Sequence, residues 1–393
     1  MHRWLGKAVC LGLGSGLALG LVLAPTALGQ EPSAARDLPF SDGGWDLAGE
    51  GTAIETFKGR EVLRLETGEA FRRDVRLQDG TIDLDVRFTD RRSFVYLKFR
   101  MVEDGESEEL YLRTHKSNLP DGLQYAPVWQ GQSAWQLYHG PGGTAAVSLR
   151  PGVWTPVRLV LQGRHAAIFV GDLDTPALVV PRLARELRPG YIALRGFLPR
   201  DVPRGEPVAR YANVRIRPGY VPFDFSSVDV REPETRPGTV GAWAVSRAFV
   251  PENGPYAQLP GAEVLGGFRR VGADPGGLVP LHSHVELPEG SRRAAAVARV
   301  RVTAREAGLR RLALGFSDEV TVFLNGRPLF HCDDSYSFDA PRRQGLLYDD
   351  QATLFLPLEK GENELAVLVS DRFGGWGLMG RFEDPDGLVI EAR

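Results

Sequence analysis

The chain has 393 residues, 43% of them hydrophobic and 25% charged, with 46 Gly and 28 Pro, which is enough apolar material for two cores and too much for a disordered chain. Its 47 Lys and Arg against 50 Asp and Glu give a formal net charge of −3, so there is no basic excess for a phosphate backbone and nucleic acid is excluded as a partner.

Met1 to Lys7 carries Arg3 and Lys7, Ala8 to Leu23 is an apolar run, and Ala27-Leu28-Gly29 places small residues where a signal peptidase reads. The pattern predicts a signal peptide over residues 1–29, a secreted or periplasmic protein, and no membrane span after cleavage. A membrane anchor competes with this reading, but Pro25 and four glycines weaken the run as a spanning helix and no basic stop-transfer flank follows. Cleavage removes Arg3, Lys7 and Cys10, which takes the net charge from −3 to −5 and leaves Cys332 unable to form an intramolecular disulfide. Cys332 lies beside His331, Asp333 and Asp334, but neighbours on an extended chain point to alternating faces and do not converge on one ion, so it reads as a spectator thiol.

Residues 30–217 form the first predicted domain, and strand follows strand there. Ile82, Leu84, Val86 and Phe88 alternate with Thr81, Asp83, Asp85 and Arg87; Val95, Leu97 and Phe99 alternate with Phe94, Tyr96, Lys98 and Arg100; Leu110, Leu112 and Thr114 alternate with Tyr111, Arg113 and His115. Further strands are predicted over 154–161, 166–170, 191–195 and 209–216, and one short helix over Pro181–Leu187, stopped by Pro189-Gly190. Residues 218–240 hold four prolines and a charged run, as an exposed connector does. The second domain, 241–393, is β-rich as well, with strands over 294–302, 309–316, 320–324, 352–356 and 364–369 and a hairpin turn at Asn325-Gly326. Many short strands with Gly/Pro punctuation predict an all-β protein of two β-sandwich domains.

A sandwich buries one face of each sheet, so Asp83, Asp85, Tyr96, Lys98, Arg100, Arg113 and His115 are expected on an outward face. Aromatic rings there offer flat surfaces for sugar C–H groups, and guanidinium groups offer bidentate donors for hydroxyls or carboxylates. Residues 121–139 add two Trp, two Tyr and four Gln in 19 residues, among them Gln124, Tyr125 and Trp135. The expected glycan-binding set is therefore Asp85, Tyr96, Lys98, Arg100, Arg113, His115, Gln124, Tyr125 and Trp135. His115 and Tyr111 are the candidate proton carriers, with Arg113 fixing the substrate. Asp83 and Asp85, neighbours on one strand, do not flank a bond, and Glu109 is assigned to the face opposite Arg113. Trp376, among the glycines of 371–377, is either a ligand contact or a core plug. No cofactor is called for; a structural calcium on Asp333, Asp334 and Asp339 is the one the sequence leaves open.

The segments 80–86, 94–100, 110–117, 124–128 and 135–138 resemble the concanavalin A-like lectin/glucanase superfamily, and are most similar to secreted bacterial laminin-G-like domains and related 3-keto-disaccharide hydrolase-type domains. Over roughly 40–217 the resemblance implies a jelly-roll sandwich with a concave, glycan-facing sheet. The E-x-D-x-x-E strand motif of the superfamily's glucanases is missing; Asp83-Leu84-Asp85-Val86 is the nearest string and lacks the glutamates. Residues 316–330 and 356–365 resemble the smaller galactose-binding-like jelly rolls that accompany glycosidases. The function expected is a secreted carbohydrate-binding protein that takes a poly- or oligosaccharide on the concave sheet, with an acidic sugar favoured by Lys98, Arg100 and Arg113. A glycan-cleaving hydrolase or lyase, or a cell-envelope protein-interaction module, are the alternatives.

Overall fold

The computed structural model describes residues 34–229, 231–337, 339–340 and 343–393. The predicted signal peptide lies outside the described residues. Among the described residues almost all regular structure is β, in antiparallel sheets, and no helix is long and apolar enough to cross a membrane.

Two sheets pack face to face in the first half of the chain. The back sheet runs Leu178–Val180, His165–Val170, Trp154–Gln162, Gly80–Phe88, Ala209–Pro218, Arg60–Leu65 and Ala53–Phe57. The front sheet runs Gln132–Ser133, Leu123–Trp129, Glu106–Arg113, Phe94–Glu103, Gly190–Phe197, Gly68–Leu77 and Asp46–Ala48. The alternation seen in sequence decides which side chains meet between them: Ile82, Leu84, Val86 and Phe88 from the back sheet join Val95, Leu97, Phe99, Leu110 and Leu112 from the front sheet in one buried cluster.

The chain after Phe88 does not turn back as a hairpin; it crosses to the other sheet. Asp83 and Asp85 therefore lie on the outside of the back sheet, not beside Tyr96 and Lys98. There Asp83 accepts from Arg158 and Arg217, each at 2.6 Å, and Asp85 from Arg60 at 2.8 Å and Asn213 at 2.9 Å. The assignment of Asp85 to the glycan face is corrected.

Arg100 is displaced for a different reason. It sits at φ 48°, where the ladder to Glu106–Arg113 slips between Phe99 and Glu103, and this bulge reverses the inward and outward alternation. Its buried guanidinium donates to the carbonyls of Gln78 (2.8 Å) and Gly163 (2.7 Å) and to Asp79 (3.2 Å), tying turns of the two sheets together. Burial lowers its pKa, against Glu108 and Asp79. Arg100→Ala leaves two carbonyls and Asp79 without these donors and is expected to cost about 2–3 kcal/mol in urea unfolding, with no change in ligand binding.

The short helix expected at Pro181–Leu187 is absent. The N–H groups of Leu183, Ala184 and Arg185 go instead to Arg164 O, Tyr125 Oη and Glu108 Oε1, and Leu183 is buried in the core. Ala184 and Arg185 carry the first N–H groups that a helix starting at Pro181 would bond within itself, and with both committed outside the first turn does not close. Part of the connector is also not exposed: Val221, Phe223 and Phe225 lie on the back sheet over Val160, Ala167 and Phe169.

The second half has its own core around Trp243, Phe316, Trp376 and Phe382. One sheet contains Arg269–Gly272, Ala242–Val245, Ala294–Ala304, Gly361–Asp371, Glu319–Leu324 and Arg327–Asp333, with Leu388–Glu391 also on Ala294–Ala304; the other contains Val279–Pro280, Gly377–Phe382, Gly308–Ser317 and Ala352–Leu358. Asn325 and Gly326, at φ 51° and 74°, turn the hairpin between Leu324 and Arg327 as the sequence predicts.

Candidate functional site

Strand register sets the outer side chains of the front sheet in rows. One row crosses five strands as Glu69, Arg195, Tyr96, Tyr111 and Gln124, each residue paired with the next. The next row is Phe71, Ala193, Lys98, Glu109 and Ala126; on the other side lie Phe197, Phe94 and Arg113. Of the residues expected on this face, Tyr96, Lys98, Tyr111, Arg113, Gln124 and, at the rim, His115 and Trp135 are brought together. Tyr125 is not. It alternates inward from Gln124, and its buried hydroxyl donates to Glu108 at 2.6 Å.

Glu109 belongs to the face as well, which corrects its assignment: residues 109, 111 and 113 are two apart and point the same way. Glu69, Arg195 and Phe197 also belong to it and were missed. The signal was available in Tyr191, Ala193, Arg195 and Phe197, which alternate with the core residues Ile192 and Leu194.

Half-buried rings make the upper surface. Phe94 lies 5.8 Å from Phe197 and 6.5 Å from Tyr96, nearly parallel to the latter, and Tyr96 lies 5.0 Å from Tyr111. The Arg195 guanidinium stands 5.2 Å from the Tyr96 ring centre and 5.8 Å from that of Phe197, and it forms no ion pair among the described residues. Its pKa is raised: burial opposes the charge, and Tyr96, Glu109 and Glu69 more than offset it.

The floor is polar and largely bonded to itself. Lys98 lies 2.8 Å from Glu69, and Glu109, 1% exposed, sits opposite Lys98 and accepts from Ser133 Oγ at 2.6 Å. Burial raises the Glu109 pKa despite Lys98. Arg113 donates to the Asp121 carbonyl (2.6 Å), Tyr111 Oη (2.9 Å) and Gln124 Oε1 (2.6 Å). Gln124 uses its own amide on the carbonyls of Trp135 (2.7 Å) and Tyr138 (2.9 Å). These two residues therefore position the face and the 135–138 segment, with little capacity left for a ligand. Tyr111, buried, donates its hydroxyl proton to Gln124 at 2.8 Å and is held well above the usual tyrosine pKa by that burial. His115 is lowered to about 4, by loss of hydration against Phe94 and by Arg113, Lys116 and Arg92. A histidine with that pKa is neutral from pH 5 upward and holds no proton to donate at neutrality.

The 129–139 segment is both the edge of this face and the seam to the second half. Gln130 donates to the carbonyls of His282 and Val285, each at 2.8 Å, and accepts from Leu287 N. Gln136, fully buried, donates to Gln344 O at 2.9 Å and Asp318 Oδ1 at 3.3 Å. The glycines of 371–377 serve that seam: a Cβ on Gly374 would stand 2.3 Å from Trp135 Nε1 and one on Gly375 3.1 Å from Gln136 Cβ. Trp376 is a core plug, its indole N–H donating to Val369 O. Asp333 caps Ser335 and Asp334 accepts from Gln351; among the described residues no three His, Cys, Asp or Glu side chains are grouped to hold a metal ion. Cys332 is half-buried, and burial with Asp334 and Asp333 raises its pKa.

A depression of about 680 Å³ lies elsewhere, on the outside of the back sheet among Asp83, Asp85, Arg60, Arg158, Arg215 and Arg217. Its four guanidinium groups are each committed to Asp83, Asp85 or Asp37. With the aromatic rows and the uncommitted Arg195 on the front sheet, the front sheet is the better candidate site.

No family model matches the chain, and no curated protein matches it. Among solved structures, it is similar to the carbohydrate-binding module CBM66 from Bacillus subtilis, at 12% identity and a TM-score of 0.34 over 44% of this chain and 95% of that one. It is similar to a native glycosidic hydrolase at 12% identity and a TM-score of 0.36, covering 48% and 97%, and to a Bacillus licheniformis β-glucanase at 12% and 0.34, covering 47% and 98%. At such identities and scores none of these assigns a residue of the front face.

Proposed function

We propose that the front sheet holds a glycan bearing an acidic substituent, in the secreted or periplasmic setting that residues 1–29 indicate, with the second half as a supporting module. The observation that carries this reading is the row of half-buried rings, Phe94, Tyr96 and Phe197, beneath an Arg195 guanidinium that makes no ion pair among the described residues and has Glu69 and Glu109 near it only at longer range. Rings of this kind take the C–H faces of sugars, and a fork of N–H donors takes a carboxylate or sulfate in a bidentate manner. Lys98, Arg113 and Gln124, bonded within the protein, hold the surface in shape.

The test is native affinity electrophoresis of residues 30–393 through gels of polygalacturonate, alginate, xylan and mixed-linkage β-glucan. Retardation is expected in an acidic gel, with Tyr96→Ala weakening it roughly tenfold and Arg195→Ala at least as much. Retardation in neutral gels alone would overturn the acidic preference, and none in any gel would overturn the glycan reading and favour a protein partner at the rim loops. Because His115 is neutral from pH 5 upward, the affinity should vary less than about twofold between pH 5 and 8; a rise toward pH 5 would show a charged histidine at the site.

Cleavage of the bound glycan is the second reading, favoured by the pair Glu69 and Glu109 on either side of Lys98. A carboxyl group whose pKa is raised by burial, as that of Glu109 is, is suited to general acid work, with Glu69, 2.8 Å from Lys98, as the second carboxyl group of the pair. Reducing ends released by the wild type but not by Glu109→Gln, with retardation kept, would establish it. A wild type that releases none is a binding protein.

A further inference from the structure

The front face does not end at the edge of its own sheet. The Arg113 guanidinium stands 4.8 Å from the Tyr111 ring centre, 5.9 Å from that of Phe94 and 6.0 Å from that of Trp135. Trp135 in turn meets two rings from the second half of the chain, Tyr336 at 5.9 Å and Phe373 at 6.3 Å, which are 5.6 Å from one another. The aromatic surface is thus continuous from Phe197 to Phe373, across the seam.

Two features fix the far end in place. Asp318, itself buried, accepts from the backbone N–H groups of Arg372 (2.7 Å) and Phe373 (2.8 Å), so the chain bearing the ring is clamped at its root. Gly374 then lies so close to Trp135 that a side chain there would collide with the indole. Phe373 keeps 50% of its surface exposed and lies against the half-buried rings of Trp135 and Tyr336, so the three form one aromatic patch open to water. A lone exposed ring would call for no account, but a contiguous patch of rings on a backbone clamped at its root marks a binding surface.

We propose that Trp135 and Phe373 form a second sugar subsite, so that the second half contributes directly to recognition and the occupant is an extended glycan of several rings, not a mono- or disaccharide. The proposal rests on the glycan reading of the front face and extends it along the chain of the ligand. Arg113, already saturated, is the positioning group between the two ring surfaces. The polymer lies over it, stacked at one end on Phe94, Tyr96 and Phe197 and at the other on Phe373.

The test uses oligomers of two and six rings, cut from whichever polysaccharide of the gel panel retards the protein, in calorimetric titration of residues 30–393. The six-ring oligomer is expected to bind about five- to tenfold more tightly than the two-ring one. Phe373→Ala should remove that gain and leave two-ring binding within about twofold, because the ring is exposed and far from Tyr96; Phe373→Tyr, which keeps the ring, should retain it. If Phe373→Ala binds both oligomers as the wild type does, the second subsite is overturned while the glycan reading stands. If Tyr96→Ala also leaves binding untouched, or no polysaccharide retards the protein, both fall.

Discussion

Between pH 4 and pH 8 the protein is expected to lose roughly 4 kcal/mol of stability through Asp318, and Asp318→Asn is expected to abolish that loss. Asp318 sits at the seam with no exposed surface, accepting from Arg372 N, Phe373 N and Gln136 Nε2. These donors favour its ionised form, but burial, and after it the nearby Asp371, outweigh them and raise its pKa from 3.8 to about 7. The sign follows from proton counting. Below pH 3.8 the carboxyl is protonated in both states and contributes nothing. Between 3.8 and 7 the folded state keeps a proton that the unfolded chain has released, so each unit of rising pH weakens folding by about 1.4 kcal/mol. Above 7 both states are ionised and the full penalty stands. Urea unfolding of wild type and Asp318→Asn across this range gives the measurement. The difference between them should change steadily from pH 4 to 7 and then level off, leaving the variant the more stable protein at pH 8. A difference that does not vary with pH would show that Asp318 ionises in the folded state as freely as in the unfolded one.

The same residues show where the sequence was legible. Alternation of period two gave the all-β class and the core faces of Gly80–Phe88 and Phe94–Phe99, as the Asn-Gly dipeptide did the turn at 325–326, because those features depend on neighbours in sequence. It located Tyr96, Lys98 and Arg113 on one outward face for the same reason. What it did not contain was sheet membership: Asp83 and Tyr96 are both outward, but on opposite sides of the sandwich, since the chain crosses over between them. The bulge at Arg100 is similarly silent, as nothing in Lys98-Phe99-Arg100-Met101 marks a residue with positive φ. Glu109 and Arg195 were readable by parity. Their meaning was not, because it comes from register, which sets Glu109 against Lys98 and Arg195 between Glu69 and Tyr96. The Gln- and Trp-rich segment at 121–139 was singled out by composition. Its division of labour, with Gln130 and Gln136 on the seam and Gln124 bracing the face, depends on a partner more than 140 residues away in each of the first two cases.

Lys98→Met is expected to cost about 3–5 kcal/mol at pH 8, with most of the loss recovered at pH 4. Lys98 is the cation between two carboxylates: its Nζ lies 2.8 Å from Glu69, and it faces the buried Glu109 across the ladder. Methionine preserves the volume and flexibility of the side chain, so packing changes little and charge is what the substitution removes. Two coupled carboxyl groups then lose their nearest cation and keep only the more distant Arg195, in a region where Glu109 is already raised by burial. The folded-state pKa of Glu109 moves further up while its unfolded value stays put. The folded variant holds more protons than its unfolded chain, so its deficit grows as pH rises from 4 to 8. Adding Glu109→Gln to Lys98→Met removes one of the opposed charges and should restore about half of the stability at pH 8, with little effect at pH 4. A deficit equal at both pH values would mean that Lys98 acts by packing alone. It would also remove the electrostatic ground for assigning Glu109 an acid role, since a carboxyl group insensitive to the loss of its nearest cation is not coupled to the charges of the face on which a glycan is proposed to bind.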